Sequence, residues 1–308
     1  MEEKNNKYSQ QLKIDLGATS STIEAFIQSM LDNLKRDGAV IAVSGGLDSA
    51  ITATLTVRSL GAHRVHLLNM PERDSQPIHQ NHARILAKHL ETCITVRHIS
   101  PVLRATGTYR LLHLRFLPTL QLRSALVDFA KKHLNIDNAN LLATRLQPGN
   151  ATLVAKGAAY VVAKHRIRMV TLYQYAEVHN LMVVGAANRT EWLTGTFSKW
   201  GVDHCADVMP LLHLYRSQLE RIAEYVGVPD VIRNKVADPD VMPGVNDKGA
   251  LLGDFTLVDQ ILYGIENGQD KSQLSEIYGK NNVEHILHLY ELSQHMRESP
   301  YHLNLGPQ

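Results

Sequence analysis

The run Ser44-Gly45-Gly46-Leu47-Asp48-Ser49 carries the densest chemistry in this chain. It separates five apolar residues, Ala39 to Val43, from a helical pattern that extends to Leu60, so it occupies a strand-to-helix turn. Free backbone N–H groups and the positive end of a helix dipole attract an anion at such a turn. Two adjacent glycines let the backbone approach that anion closely. The Lys-Ser/Thr ending of a Walker A loop is absent, as is G-x-G-x-x-G, which argues against the usual kinase, GTPase and dinucleotide-binding readings. Asp48 is the informative residue. A carboxylate beside phosphates repels them unless a divalent cation lies between. The purely local alternative is a Gly-Gly turn with Asp48 as a helix cap.

Other reactive side chains give weaker signals. Cys205 is a conceivable nucleophile, but no Cys-His pairing follows from sequence, and a packed thiol is the simpler reading. His79-Gln80-Asn81-His82 and the other histidines, 16 in total, lack H-E-x-x-H or a cysteine partner, and most of them read as surface residues.

The elements that must position the loop are legible as an alternation. A helix is predicted through Ile23, Phe26, Ile27, Met30, Leu31 and Leu34, with Thr19 to Thr22 offering N-caps. Strands are predicted at Ala39–Val43, Val65–Leu68 and Ile94–Val96, with helices to Leu60 and from Ile78 to Leu90. A long helix from Ala158 to His179 and a strand from Leu181 to Gly185 follow, then a loop from Ala186 to Met209 and a helix from Tyr215 to Tyr225. This is an α/β pattern: an open, doubly wound parallel sheet flanked by helices. The reading is one domain over 1–308, with a probable insertion at 100–157 and a helical C-terminal region at 245–308. Within the insertion a helix is predicted at Leu122–Leu134 and a turn-rich stretch at Asn135–Asn150. C-terminal helices are predicted at Leu251–Tyr263, Lys271–Tyr278 and Val283–Met296.

With 308 residues, the chain can bury a core without disulfide or metal staples. Thirty-two Lys and Arg against thirty Asp and Glu leave a net charge of +2, which gives little long-range pull on nucleic acid or anionic lipid. The two cysteines cannot build a disulfide framework. The polar start Met1-Glu2-Glu3-Lys4 and the lack of an 18-residue apolar run predict a cytoplasmic protein that neither spans nor binds a membrane.

The S-G-G-x-D-S loop resembles the pyrophosphate loop of the ATP pyrophosphatase superfamily, whose members cleave ATP between its α- and β-phosphates. Further motifs narrow the resemblance to the NAD synthetase family. Lys164-His165-Arg166-Ile167-Arg168-Met169 resembles K-A-R-x-R-M, and Val183 to Glu191 resembles V-V-G-T-x-N-x-x-E. Thr194 to Gly201 resembles G-x-F-T-K-Y-G, Asp203 to Pro210 resembles D-G-G-A-D-x-x-P, and Leu214 to Gln218 matches L-Y-K-T-Q. The resemblance runs from about Val40 to Leu262, apart from the insertion.

It implies an adenine-nucleotide alpha-hydrolase-like fold and a carbon–nitrogen ligase. The enzyme would activate nicotinate adenine dinucleotide with ATP and amidate it with ammonia through an acyl-adenylate, giving NAD, AMP and pyrophosphate. Alternatives are the same chemistry on another carboxylic acid, or a catalytically weakened nucleotide-binding protein. By resemblance, Ser44, Gly45, Gly46, Leu47, Asp48, Ser49, Ala186 and Lys235 bind ATP, and Asp48 and Glu191 hold Mg²⁺. Arg166, Arg168, Lys199, Asp207 and His295 contact substrate, while Asp48, Lys199 and Asp203 serve catalysis, with Asp203 or Asp207 holding ammonium. Arg297 is a weaker match to a C-terminal substrate contact. Arg166 and Arg168 point about 200° apart on one helix, and Arg168 shares a face with Lys164, which favours it for phosphate. A plain surface acid stays open as the alternative for Glu191, and a solvated or dimer-interface arginine for Arg166 and Arg168. The resemblance also implies a homodimer, and ammonia supplied free or by a separate glutaminase. The chain departs from the pattern at Ala186, at Val202, at His204-Cys205 and at Val245-Asn246-Asp247-Lys248, all near substrate.

Overall fold

The computed structural model describes residues 12–112, 122, 142, 143, 146, 152–235 and 252–301. Four strands form one parallel sheet: β1 (Gly38–Ala42), β2 (Val65–Asn69), β3 (Cys93–Val96) and β4 (Leu181–Val183), in the order β3-β2-β1-β4. The inner strand β1 and the short β4 are apolar because both of their faces are covered, whereas the edge strand β3 exposes Cys93. Ala39 and Ile41 pack on one side with Val65, Leu67 and Met182, whereas Val40, Leu68 and Val183 face the other. Successive residues thus feed two cores, as the period of two requires.

The first core is covered by α1 (Leu16–Asn33), α2 (Leu47–Leu60), α3 (Pro77–His89) and α7 (Arg216–Tyr225). The second lies under α4 (Ser100–Ala105) and the 27-residue α5 (Thr152–Val178). A third core joins α6 (Arg189–Thr194) to the C-terminal helices α9 (Phe255–Glu266), α10 (Lys271–Tyr278), α11 (Lys280–Leu292) and α12 (Gln294–Arg297). The short α8 (Asp230–Arg233) follows α7.

All four predicted strands are present, with ends shifted by one or two residues. Several details differ. Helix α1 starts a turn earlier than the threonine caps suggest, because the Asp15 side chain accepts from Ala18 N. The stretch from Ala186 to Met209, read as loop, contains α6, whose six residues are too few to show periodicity. Helix α5 begins six residues before its predicted start, and the predicted Val283–Met296 helix is split at Ser293. Nearly all of the predicted Leu122–Leu134 helix, most of the Asn135–Asn150 stretch and all of Val245–Lys248 lie outside the described residues.

The chain winds from β1 outward to β3, then returns to place β4 on the other side of β1. The loops leaving β1 and β4 therefore diverge at the carboxyl edge, the topological switch point where open α/β sheets hold ligands.

Candidate active site

The loop after β1 is built for close approach. Gly45 has φ +80°, and a Cβ there would lie 2.2 Å from the backbone oxygen of His79. Only glycine accommodates both conditions. Gly46 caps α2 with no side chain of its own. Ser44 and Ser49 brace the turn: Gly46 N donates to Ser44 Oγ at 3.2 Å, Ser49 Oγ donates to Gly46 O at 3.1 Å, and Ser44 N donates to Ser49 Oγ at 3.4 Å. Leu47 is buried and anchors the first turn of α2. Asn69, at the end of β2, donates from Nδ2 to Val43 O and fixes the carboxyl end of the neighbouring segment.

Asp48 is not the helix cap considered above, for it sits inside α2 and reaches across the switch point. Its Oδ1 accepts from Arg216 Nη1 at 2.6 Å and its Oδ2 from Asn188 Nδ2 at 3.2 Å. Asn188 Oδ1 in turn caps α6 by accepting from Glu191 N. Burial works against the charge of Arg216, but Asp48, Glu220, Glu191 and Asp259 outweigh it and hold the guanidinium firmly protonated. Asp48, Asn188, Glu191 and Arg216 thus form one constellation drawn from three segments. Arg216 lies within L-Y-R-S-Q, a matched motif, yet its meeting with Asp48 went unforeseen because 168 residues separate them. The charge of Asp48 is thus balanced in part by the chain itself, through Arg216. Asp48 and Glu191 are hard oxygen donors acting on one positive centre, a donor set that suits Mg²⁺. No group of three or more His, Cys, Asp or Glu side chains gathers around a metal position among the described residues. Mg²⁺ needs none, since it commonly takes one or two carboxylates plus substrate phosphates and water.

Arg216 is held from behind by a buried carboxylate. Asp259 of α9 accepts from Thr190 Oγ1 at 2.5 Å and from Ser217 N at 2.7 Å, while Arg216 N donates to Thr190 Oγ1. Burial pushes Asp259 up to about 6 despite these bonds.

The substrate-side residues fall into two groups. Arg168 Nε donates to Met70 O beyond β2, whereas Arg166 is exposed and donates to Lys199 O. Lys199 Nζ donates to His295 O, so Arg166, Lys199 and His295 come together and Arg168 lies elsewhere. Asp203 Oδ2 lies 2.6 Å from His165 Nδ1. Asp207 accepts from Val183 N at 2.7 Å and from Tyr173 Oη at 3.1 Å, so it ties its loop to the end of β4. Ala186 follows β4, and at the preceding Gly185 a Cβ would lie 2.8 Å from Ala206, so the two loops touch there. Arg297 is spent internally, donating to Leu193 O, Ser293 Oγ and Tyr290 O. Lys235 Nζ lies 2.6 Å from His79 Nδ1, under the glycine loop. The surface reading of His79 and His82 is corrected: both are buried, at 4% and 3% exposure.

Sequence reasoning also missed a buried ionic network behind the site. Lys164 Nζ donates to Glu72 Oε1 at 2.7 Å and to Asp74 Oδ2 at 3.1 Å, with all three side chains essentially inaccessible. Tyr160 donates to Asp74 and Tyr109 to Glu72, while Arg73 stacks 3.9 Å over the Tyr109 ring. Burial and Glu72 raise the Tyr109 phenol to about 12, so it stays a donor.

The NAD synthase family model matches residues 19–115 and 119–300. The chain is a member of the NAD synthase family. It is 34% identical over 287 residues to an NH(3)-dependent NAD(+) synthetase of Coprothermobacter proteolyticus, covering 91% of this chain and 96% of that one. A namesake from Thermotoga maritima is 36% identical, covering 89% and 94%. Among solved structures, the NH3-dependent NAD synthetase from Campylobacter jejuni, in complex with the nitrate ion, superposes with a TM-score of 0.68 at 22% identity, covering 95% of this chain and all of that one. NMN synthetase from Francisella tularensis gives 0.69 at 23%, again covering 95% and 100%; at these identities the likeness is one of fold.

His204 and Cys205, where the chain departs from the family pattern, lie in the loop that follows Lys199, close enough for the Lys199 charge to act on His204. The His204 ring lies nearly parallel to Trp192 and Phe197, each with its centroid 5.4 Å away. Burial, helped by Lys199, lowers the His204 pKa and so favours the neutral ring. Burial raises the Cys205 thiol, which disfavours the thiolate that a nucleophile needs.

Proposed function

We propose that this NAD synthase family member is a carbon–nitrogen ligase that amidates nicotinate adenine dinucleotide with ammonia, consuming ATP and releasing NAD, AMP and pyrophosphate. The observation that carries the reading is the convergence of Asp48, Asn188, Glu191 and Arg216 at the switch point, beside a glycine loop shaped for phosphate. A carboxylate is a poor acylating agent. In the proposed first step a carboxylate oxygen of the substrate attacks the α-phosphorus, the bond to the bridging oxygen breaks, and pyrophosphate departs with its electron pair. Ammonia then attacks the acyl carbon, AMP leaves, and the nitrogen gives up a proton.

The glycine loop and the amino end of α2 hold the phosphates, and Arg216 neutralises charge beside them. Mg²⁺, held by Asp48 and Glu191, would balance the negative charge of the triphosphate. Lys199, with Arg166 and His295 around it, faces the dinucleotide, and Arg168 serves the loop beyond β2. Asp203 accepts hydrogen bonds from ammonium. Ala186 and Lys235 border the nucleotide. The protein works as a homodimer on free ammonia or on ammonia from a separate glutaminase, and resides in the cytoplasm; no helix among the described residues is long and apolar enough to cross a membrane. The 1–308 chain acts as one domain, with 100–157 as an insertion.

The test is to incubate the protein with Mg-ATP, ammonium and nicotinate adenine dinucleotide. NAD and AMP formed in equal amounts support the proposal. AMP released only with a different acid, or ATP bound without turnover, overturns it.

A further inference from the structure

We infer that Asp259 is a positioning residue of the nucleotide site, capping α7 from a neighbouring helix and so setting Arg216 against Asp48. The inference rests on the proposed use of ATP and brings a residue of the C-terminal helices into that site. The leading N–H groups of a helix have no partner inside it, and a short side-chain oxygen at the N-cap usually accepts one of them. Helix α7 has Tyr215 there, and the Tyr215 hydroxyl donates to Glu266. Its first-turn amides are met from elsewhere. Ser217 N donates to Asp259 Oδ2 at 2.7 Å, and Arg216 N donates at 2.9 Å to Thr190 Oγ1, which itself donates to Asp259 Oδ1 at 2.5 Å. One carboxylate therefore serves two consecutive amides, one directly and one through a hydroxyl of α6. Asp259 is fully buried, a place that a carboxyl group occupies at high cost unless its oxygens are used. Both are used, and both bear on the start of α7.

The side chain of Arg216 is held from the same helix. Phe255 stands one turn before Asp259 on α9, and Arg216 Cζ lies 5.6 Å from the centre of its ring, within the range of a cation–π contact. Residues at that spacing share a helix face, so one face of α9 fixes the backbone of Arg216 with Asp259 and receives its guanidinium with Phe255. From that base Nη1 reaches Asp48 Oδ1 at 2.6 Å. The Asp48–Arg216 pair carries charge in the S-G-G-x-D-S turn, so its geometry depends on where the first turn of α7 is seated. A long side chain has many rotamers, and anchoring its main chain and its head cuts the entropy lost in presenting one charge at one place. Asp259 acts through Arg216 and needs no contact with the nucleotide.

The experiment measures dissociation constants for Mg-ATP and for adenosine by calorimetry on the full-length protein, on Asp259→Leu, Asp259→Asn, Thr190→Val, Thr190→Ser and Arg216→Met, and on the double variant Asp259→Leu/Arg216→Met. Asp259→Leu, which removes the charged acceptor at nearly the same volume, should weaken ATP roughly tenfold. Adenosine, which lacks phosphates, should bind as it does to the unaltered protein. Asp259→Asn, whose Oδ1 can accept from Ser217 N while its Nδ2 donates to Thr190 Oγ1, should recover most of the loss. Thr190→Val breaks only the hydroxyl link and should weaken ATP severalfold, with Thr190→Ser restoring it; this pair decides the matter if Asp259→Leu does not fold. Once Arg216 is replaced by Met, adding Asp259→Leu should cost no further ATP affinity. Equal losses of ATP and adenosine, unchanged ATP affinity in Thr190→Val or in Arg216→Met, or additive losses in the double variant would each overturn the inference. If the unaltered protein binds no ATP, the proposed function itself fails, a result distinct from these.

Discussion

At the scale of single residues, Asp48 is the pivot, because its two oxygens contact groups from two other segments. Asp48→Asn keeps one acceptor but removes the charge that faces Arg216. We expect AMP release to fall at least about a hundredfold, the usual scale for removing a preorganised charge from a reacting centre. Stability should drop by about 1–2 kcal/mol, since a largely buried guanidinium loses a charged partner. Glu191→Gln should lose as much turnover, because it removes one of the carboxylates whose charge acts on the Arg216 guanidinium. Product assays and urea denaturation of both variants check this; wild-type turnover in either removes that carboxylate from the reaction. The two loop glycines make a sharper pair. Gly45→Ala should destabilise the fold, given its φ and its contact with His79. Gly46→Ala, with only Ser44 Oγ within 4 Å among the described residues and an ordinary φ, should fold normally and still bind ATP more weakly. Thermal midpoints and ATP titrations separate the two effects.

At the scale of elements, two carboxylate arrangements join helices to the sheet edge and invite different tests. Asp259 bridges α6, α7 and α9, acting on the first turn of α7 from another helix. Its folded pKa, about 6, stands above the roughly 3.9 of an unfolded aspartate. The folded protein therefore binds this proton more tightly. The resulting contribution to stability is present below about pH 4 and is lost as the pH rises through about 6. The difference in unfolding free energy between the unaltered protein and Asp259→Asn should shrink over that window; a constant difference would remove Asp259 as the titrating group. Lys164 is the second case. Lys164→Met strands Glu72 and Asp74 without their buried cation, and should cost about 3–5 kcal/mol in urea denaturation. Element boundaries also show what sequence patterns can carry. The strands and the glycine loop were readable because apolar runs and turn chemistry are local. Helix α6 was too short for a period to emerge, although Asn188 with Glu191 three residues later is a capping signal in its own right. Arg216 and Asp48, Lys199 and His295, and Lys235 and His79 are pairs joined only by tertiary folding. In each, motif matching named at least one partner and could not name the contact.

At the scale of the whole molecule, three cores meet around one site. The first two clothe the two faces of the sheet, and the first includes Val43 and Leu47 on either side of the glycine loop. The third ties α6 to the C-terminal helices, which brings Glu191 to the sheet edge. The proposed homodimer gives a direct expectation at this scale: sedimentation equilibrium at working concentration should return twice the 34.4 kDa chain mass, and a single-chain mass would refute it.

The fastening of α6 carries one more implication. The carbonyl of Leu193 accepts from Ser293 Oγ and from Arg297 Nη1, residues about a hundred positions downstream. The tail of the chain therefore works as a remote tensioner on the acidic residue two places before Leu193. Purification handles fused there, or clipping upstream of Ser293, would spare the nucleotide cradle yet slacken that carboxylate, so a preparation that binds ATP well and turns over slowly should have its last residues inspected first.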